Sequence, residues 1–419
     1  MRPEEIAALG DLAGDAAAGL TMRVRELHMG IAQRAFGGAG ATAGPAKVTH
    51  DAIADGAYLA ARGLSRLLVR GGVRAVSVVR APDAPALETH PAGHLAVGAL
   101  NGAFGDLLHR RGSPLAVPMA VRRGGRDVPR RRDALAAAFP DAGPRLAVFA
   151  HGLCETDASW RLGAERHAPY GARLQTELGY TPVYVRYNTG RHISENGRDL
   201  AALLSELVDA WPVEVSEVAL VGHSMGGLLA RSACHYGRGE AWTERVRHIF
   251  SLGSPHKGAP LEQAAYVACA ALSKLPETRP LAGMINARSA GVKDLGRGYL
   301  VDEDWRREET VGLLRKMGSE VPFVPGANHY FISATLTREP DAPVGRVLGD
   351  LLVLRPSAWD HGGRGERLRF PIDNYRHIAP ANHFDLLNHP AVYAQIAGWL
   401  GGRPALAAGS APVAIAAED

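Results

Sequence analysis

Apolar positions in the first hundred residues recur at helical spacing. Leu20, Val24, Leu27 and Ile31 make one stripe, and Leu59, Leu64, Leu67 and Leu68 a second. Val97, Leu100, Phe104, Leu107 and Leu108 make a third. Between the first two, Gly37 to Pro45 is rich in glycine and alanine and reads as a flexible linker. The pattern predicts a mainly helical region over residues 1–110. Residues 115–121 (LAVPMAV), then Arg-Arg-Gly-Gly-Arg and Asp-Val-Pro, predict a strand and a turn leading onward.

From about residue 145 the rhythm changes. Short apolar runs at 146–150, 183–185, 218–221, 249–252 and 330–333 are separated, over the first four, by amphipathic stretches around 168–178, 197–210 and 225–236. Repeats of strand plus helix are βαβ units and predict a mostly parallel sheet covered on both faces. The rhythm breaks between Pro255 and His329, where apolar helical material (Ala264, Ala265, Val267, Ala268, Ala271, Leu272) runs into a charged Asp302-Glu303-Asp304-Trp305. An insertion of this length is usually functional, and it is expected to lie above the sheet's C-terminal edge as a lid, over about 256–328. A final helix is expected from Val392 to Leu400, closing a domain that spans 111–400, with 401–419 as a flexible tail.

The chemistry centres on Val218-Ala219-Leu220-Val221-Gly222-His223-Ser224-Met225-Gly226-Gly227. An apolar strand runs in and an amphipathic helix runs out, which gives the Gly-x-Ser-x-Gly spacing its meaning. A turn sharp enough to lift a serine hydroxyl above the sheet crowds the residues two before and two after it. Gly222 and Gly226 are therefore expected where any Cβ would clash, with Ser224 as nucleophile and His223 supporting the turn. The helix N-terminus brings free N–H groups and a positive dipole end to the same point.

An oxyanion at that point needs two backbone donors. Met225, following the nucleophile, supplies one; the other is assigned to Leu153, in the strand-ending Val148-Phe149-Ala150-His151-Gly152-Leu153-Cys154. His151, with Gly152, reads as an orienting residue of that loop, because it precedes the serine. Of the eight histidines after Ser224, His383 in Pro380-Ala381-Asn382-His383-Phe384-Asp385 is the expected base, with His377 its rival. The acid is expected after the next-to-last strand. Asp350, between Gly349 and an apolar run, is the candidate there, with Asp341 and Asp360 as competitors.

Composition narrows the picture. Hydrophobic residues are 46% and charged residues 21% of the 419, as in a globular protein. The net charge is +4, and the densest basic run, Arg122 to Arg132, is short and expected to be a solvated loop. No nucleic-acid partner follows from it. Three cysteines (Cys154, Cys234, Cys269) without a Cys-x-x-Cys spacing suggest neither a disulfide framework nor a metal site, and one pair remains free to bridge. No apolar run reaches about 18 residues, so no transmembrane segment is expected. The acidic opening Met-Arg-Pro-Glu-Glu is unlike a signal peptide, and a cytoplasmic location is the default expectation.

Together Gly222-His223-Ser224-Met225-Gly226-Gly227, His151-Gly152-Leu153, Gly349-Asp350 and Asn382-His383-Phe384-Asp385 resemble bacterial lipases and esterases of the α/β-hydrolase superfamily. The similarity is greatest to the PGAP1-like (GPI inositol-deacylase-like) group. Gly253-Ser254-Pro255-His256-Lys257-Gly258-Ala259 is similar to the post-strand loop of those enzymes. The resemblance covers roughly residues 145–400 and leaves the first 110 outside. It implies an α/β-hydrolase fold with a helical N-terminal extension, and an acid in a Gly-Asp-Gly-x-Val or Asn-Asp-Gly-x-Val motif. That motif maps onto Asp350, although Leu351 stands where a glycine is usual. Some such lipases hold a calcium near the histidine loop. Asp385 resembles one ligand but lacks an upstream partner, so no metal and no cofactor are expected, and Asp385 is read as a cap of the final helix.

The expected activity is hydrolysis of a carboxylic ester, a small molecule or a lipid-like substrate, through a Ser-His-Asp triad and an acyl-enzyme. An acyltransferase, amidase or thioesterase with the same triad is the alternative, as is a binding protein that has lost catalysis. The N-terminal region is open as a second cap, an oligomerisation surface or a membrane-surface docking element, and the sequence leaves the oligomeric state undecided.

Overall fold

The computed structural model describes residues 1–38, 44–78, 84–275, 278–311, 318–337, 350 and 374–401. Three helices, α1 (Pro3–Gly38), α2 (Gly44–Val78) and α3 (Pro91–Arg110), precede a hairpin of β1 (Ala120–Arg123) and β2 (Arg126–Val128). After α4 (Arg132–Ala138) come β3 (Arg145–Ala150), α5 (Tyr170–Leu178), β4 (Tyr180–Arg186), α6 (Ile193–Ala210), β5 (Glu217–His223), α7 (Met225–Tyr236) and β6 (Val246–Leu252). Helices α8 (Pro260–Leu272), α9 (Arg279–Asn286), α10 (Ala290–Arg297) and α11 (Asp302–Val311) then lead to β7 (Asn328–Ala334), β8 (Tyr375–Ile378) and α12 (Pro390–Leu400).

The strands form one eight-stranded sheet in the order β2-β1-β4-β3-β5-β6-β7-β8. β1 runs antiparallel to β2 and β4, and the other neighbours are parallel. Side chains alternate across it as the strand period requires. Leu146 and Val148 face one core with α6 and α7, whereas Ala147 and Phe149 face the other, which Leu174 of α5 and Ile396 of α12 fill. The chain order reverses between β3 and β5, so the C-terminal ends of these two strands flank a crevice, the usual place for a ligand in an open α/β sheet.

Helix α6 illustrates how the pattern is used. Leu200, Leu203, Leu204 and Leu207, at helical spacing, are all buried on the sheet. The helix stops at Trp211 because the following Pro212 disfavours helical backbone there. The indole of Trp211 then donates to the Gly143 carbonyl at 3.0 Å. The other end is held from outside: Asp294 of α10 accepts from the Ile193 N–H at 2.9 Å and pairs with His192. Trp305 of α11 stacks on His192, with ring centroids 4.1 Å apart. The segment after β6 is thereby tied to the start of α6.

Helix α3 lies close against the loops at the sheet's edge. A Cβ at Gly98 would stand 2.4 Å from the Cys154 carbonyl oxygen, and one at Gly102 2.2 Å from the Cys154 sulfur. One at Gly105 would meet the Asn188 side chain. A glycine face at positions i, i+4 and i+7 thus sets how near the helix can come. Asn101 fixes its other side, donating to Leu115 O at 2.8 Å and accepting from Val117 N at 3.0 Å. By contrast Leu20, Val24, Leu27 and Ile31 of α1 and Leu64, Leu67 and Leu68 of α2 remain exposed.

Several expectations need correction. The strand expected over 115–121 begins only at Ala120, because Asn101 takes the backbone of 115 and 117. The basic run 122–132 is not a solvated loop throughout. Its first residues form the β1–β2 hairpin, and Arg122 is buried against Asp127 and Asp157, with Glu88 beside them. α1 and α2 run into the glycine-rich linker from both sides, and residues 39–43 lie outside the described ones, as do 402–419 of the expected tail. The three cysteines are free thiols. No described helix is long and apolar enough to cross a membrane.

Leu207→Ala, which empties a fully buried position, should lower stability by about 2–5 kcal/mol. Urea denaturation followed by far-ultraviolet circular dichroism measures it.

Candidate active site

Ser224 joins β5 directly to α7, with φ 52° and ψ −119°. Positive φ is costly for a residue with a Cβ, and it persists only where the surroundings impose it. Here the surroundings are close backbone. A Cβ at Gly222 would lie 2.3 Å from Gly226 C, and one at Gly226 2.2 Å from the Ala150 carbonyl oxygen. The Ser224 N–H is spent on the Leu252 carbonyl at 2.8 Å, which pins the turn between β5 and β6. Among the described non-glycine residues only Cys154 shares a positive φ, at 60°, and it lies in the loop across the crevice.

That loop follows β3. His151 is buried; its Nδ1 lies 3.0 Å from the Gly152 carbonyl, and its Nε2 accepts from Tyr187 N at 3.3 Å. Burial pushes its pKa down, so the ring is a neutral fixture of the loop. The N–H groups around Leu153 are taken: Gly152 donates to Glu155 at 2.8 Å and Cys154 to Thr189 Oγ1 at 3.3 Å. Among the described residues the Leu153 N–H has no hydrogen-bond partner. Met225 opens α7 and is fully buried.

The histidine loop lies after β8. Asp350 and His383 meet twice: His383 N donates to the Asp350 carbonyl at 3.0 Å, and His383 Nδ1 lies 2.8 Å from Asp350 Oδ2. Both side chains are buried, and among the described residues His383 Nε2 has no hydrogen-bond partner. The ring stands against Gly253 and His223; a Cβ at Gly253 would be 3.1 Å from His383 Cε1. His377, the rival base, points elsewhere, bonded to Ser333 Oγ at 2.8 Å and to Thr335 Oγ1 at 3.1 Å. Asp341 and Asp360 lie outside the described residues. Asp385 does not cap the final helix. It closes a capping box with Asn382 on its own short turn, and His389 caps α12. The reason is distance along the chain: Asp385 comes five residues before the helix starts.

One buried residue at this site escaped the sequence reading. Glu155, almost wholly buried, approaches His223 Nδ1 to 2.9 Å, off the line of a good hydrogen bond. His223 Nε2 in turn lies 3.1 Å from the His383 carbonyl. Glu155 thus links the loop after β3, through His223, to the histidine loop. Burial acts to lower the His223 pKa, but the facing carboxylate outweighs it and holds the imidazole above its ordinary value. Burial likewise raises Glu155, and the His223 charge overrides it, leaving the carboxyl below its usual range. Nothing in the spacing Gly152-x-x-Glu155 marks such a partner, which is found only by the fold. Among the described residues no group of three or more His, Cys, Asp or Glu is placed to hold a metal ion.

The imidazolium's stabilisation is complete below the ordinary 6.5 and fades as pH rises through the raised value. The carboxylate's is complete above the ordinary 4.5 and fades as pH falls through the depressed value. The pair therefore contributes most between the two. Glu155→Gln removes the largest raising influence on His223 and leaves its burial opposed only by the His383 carbonyl and Asp350, so its titration midpoint should fall from the wild-type value, as followed by histidine-ring nuclear magnetic resonance.

Residues 174–320, which include the Ser224 turn, match the family model described as the PGAP1-like alpha/beta domain. No curated protein matches the sequence. Among solved structures, Bacillus licheniformis lipase BlEst2 in its propeptide form is 18% identical with a TM-score of 0.43. The alignment covers 64% of this chain and 52% of that one, so the chain spans about half its length. The lin2722 gene product of Listeria innocua is 16% identical, covering 62% and 94%, with a TM-score of 0.37. Pyrococcus furiosus esterase Pf2001 is also 16% identical, covering 64% and 84%, with a TM-score of 0.37. With its mostly parallel sheet covered by helices on both faces and the strand-to-helix turn at Ser224, the chain has the α/β-hydrolase fold, and its residues 174–320 are similar to the PGAP1-like alpha/beta domain.

Proposed function

We propose that this chain is a serine hydrolase that cleaves carboxylic esters. The observation that carries the reading is the Asp350–His383 pair, 2.8 Å apart and buried, with the far ring nitrogen unengaged among the described residues and the ring against His223 of the strained Ser224 turn. In this reading Ser224 Oγ attacks the ester carbonyl while His383 Nε2 takes its proton. Asp350 holds Nδ1 and steadies the imidazolium. The N–H groups of Leu153 and Met225 receive the oxyanion. The Leu153 assignment draws on the consumption of its neighbours' N–H groups by Glu155 and Thr189. His383 then returns the proton to the alcohol as it leaves, and activates the water that frees the acid. The α8–α11 segment serves as a cap over the crevice.

The test is hydrolysis of nitrophenyl esters from acetate to palmitate, with fluorophosphonate labelling of the serine. Ser224→Ala should lose about a thousandfold or more in kcat and all labelling. Asp350→Asn should lose at least about a hundredfold in kcat while still labelling slowly. A wild-type protein inert to every ester and to the probe would sink the proposal.

A further inference from the structure

The strongest feature outside the triad is a cavity of about 920 Å³ beside the loop after β3, within the range of small-molecule sites. Its aliphatic and phenyl side chains come from four places, Leu95 of α3, Leu153, Leu162, and Phe384 with Leu387 of the histidine loop, and the β1–β2 hairpin and Tyr184 of β4 line it too. Three of these are large apolar side chains left in water: Leu95 is 73% exposed, Leu162 53% and Phe384 47%. Single exposed leucines need no explanation, but three converging on one cavity do.

The two carboxylates in the same walls are already engaged. Glu155 is held by His223 and the Gly152 N–H, and Asp157 lies 3.3 Å from the Arg122 guanidinium. A ligand entering the cavity therefore meets the hydrocarbon of those five side chains with no unpaired carboxylate beside it, and His94, Arg123 and Arg161 also line the cavity. Position adds the rest. Leu153 lies on the loop facing the nucleophile turn, and Phe384 directly follows His383. One wall is furnished by α3, which Gly98 and Gly102 seat on that same loop and Gly105 on the loop after β4.

We infer that this cavity is the subsite for the acyl chain of the ester, and that α3 of the N-terminal region is part of the specificity apparatus. The inference rests on the hydrolase reading for the word acyl; the affinity for an apolar chain does not. It places the chain-binding site at α3 and the loop after β3, with no lining residue from the α8–α11 segment.

Filling the cavity tests it. Each methylene buried should raise kcat/KM about three- to fourfold until the cavity is full. Leu95→Trp and Leu162→Trp should then lower the ratio of laurate to acetate kcat/KM at least about tenfold. Leu64→Ala, on the remote face of α2, should leave that ratio as in the wild type. Binding is read separately, by calorimetric titration of dodecanoate into Ser224→Ala. Adding Leu95→Trp or Leu162→Trp should weaken that binding at least about fivefold. An unchanged ratio in both tryptophan variants, or equal dodecanoate binding by filled and open proteins, overturns the inference. A wild-type protein that cleaves no ester yet binds dodecanoate in this cavity-dependent way would overturn the hydrolase reading and leave the chain site standing.

Discussion

The close approach of two backbones at the head of the sheet organises everything around it. β5 and α7 meet at Ser224 without a connecting loop, and Gly226 of the helix lies against Ala150 at the end of β3. The serine's positive φ stores strain that a loose turn would release. It does not relax because the Ser224 N–H is bonded to β6 and because no side chain separates Gly222 from Gly226. The cost is met by the sheet, whose two cores fix β3, β5 and β6 in register. A rigid scaffold beneath a strained residue is how an open α/β sheet presents a hydroxyl in a fixed direction.

Around that turn, separate loops are locked to one another by buried charge. Glu155 belongs to the loop after β3, His223 to the end of β5, and His383 to the loop after β8, yet they form one connected set. Burying the carboxylate or the imidazole alone would be expensive; together each keeps the other charged. Asp350 then holds His383 by side chain and by backbone. The arrangement gives the imidazole one orientation and leaves one ring nitrogen unspent, which a flexible loop could not do. The α3 helix belongs to the same construction, since its glycine face is shaped to the Cys154 segment.

The Ser224 turn was legible because several local demands coincide there. An apolar strand, two crowded glycines and a helix start all point to one serine. His383 was legible more weakly, from a polar loop ahead of the last helix, with His377 as its rival, whose ring is bonded to Ser333 and Thr335. Glu155 was not legible at all. A buried ion pair between residues 68 positions apart leaves no mark in either neighbourhood. Arg122 misled for a related reason: a run of arginines looks solvated, although one of them sits among Glu88, Asp127 and Asp157.

By itself the sequence determined the alternation of strands and helices, the position of the sharp turn and the set of candidate side chains, because hydrophobic period and glycine placement are local properties. The tertiary structure alone decided which histidine meets which carboxylate, which amide of the β3 loop keeps its hydrogen unshared, and which side of the crevice is lined with hydrocarbon. Those outcomes depend on distances between segments far apart in the chain, and such distances are set by how the two cores pack on the sheet rather than by any residue's immediate neighbours.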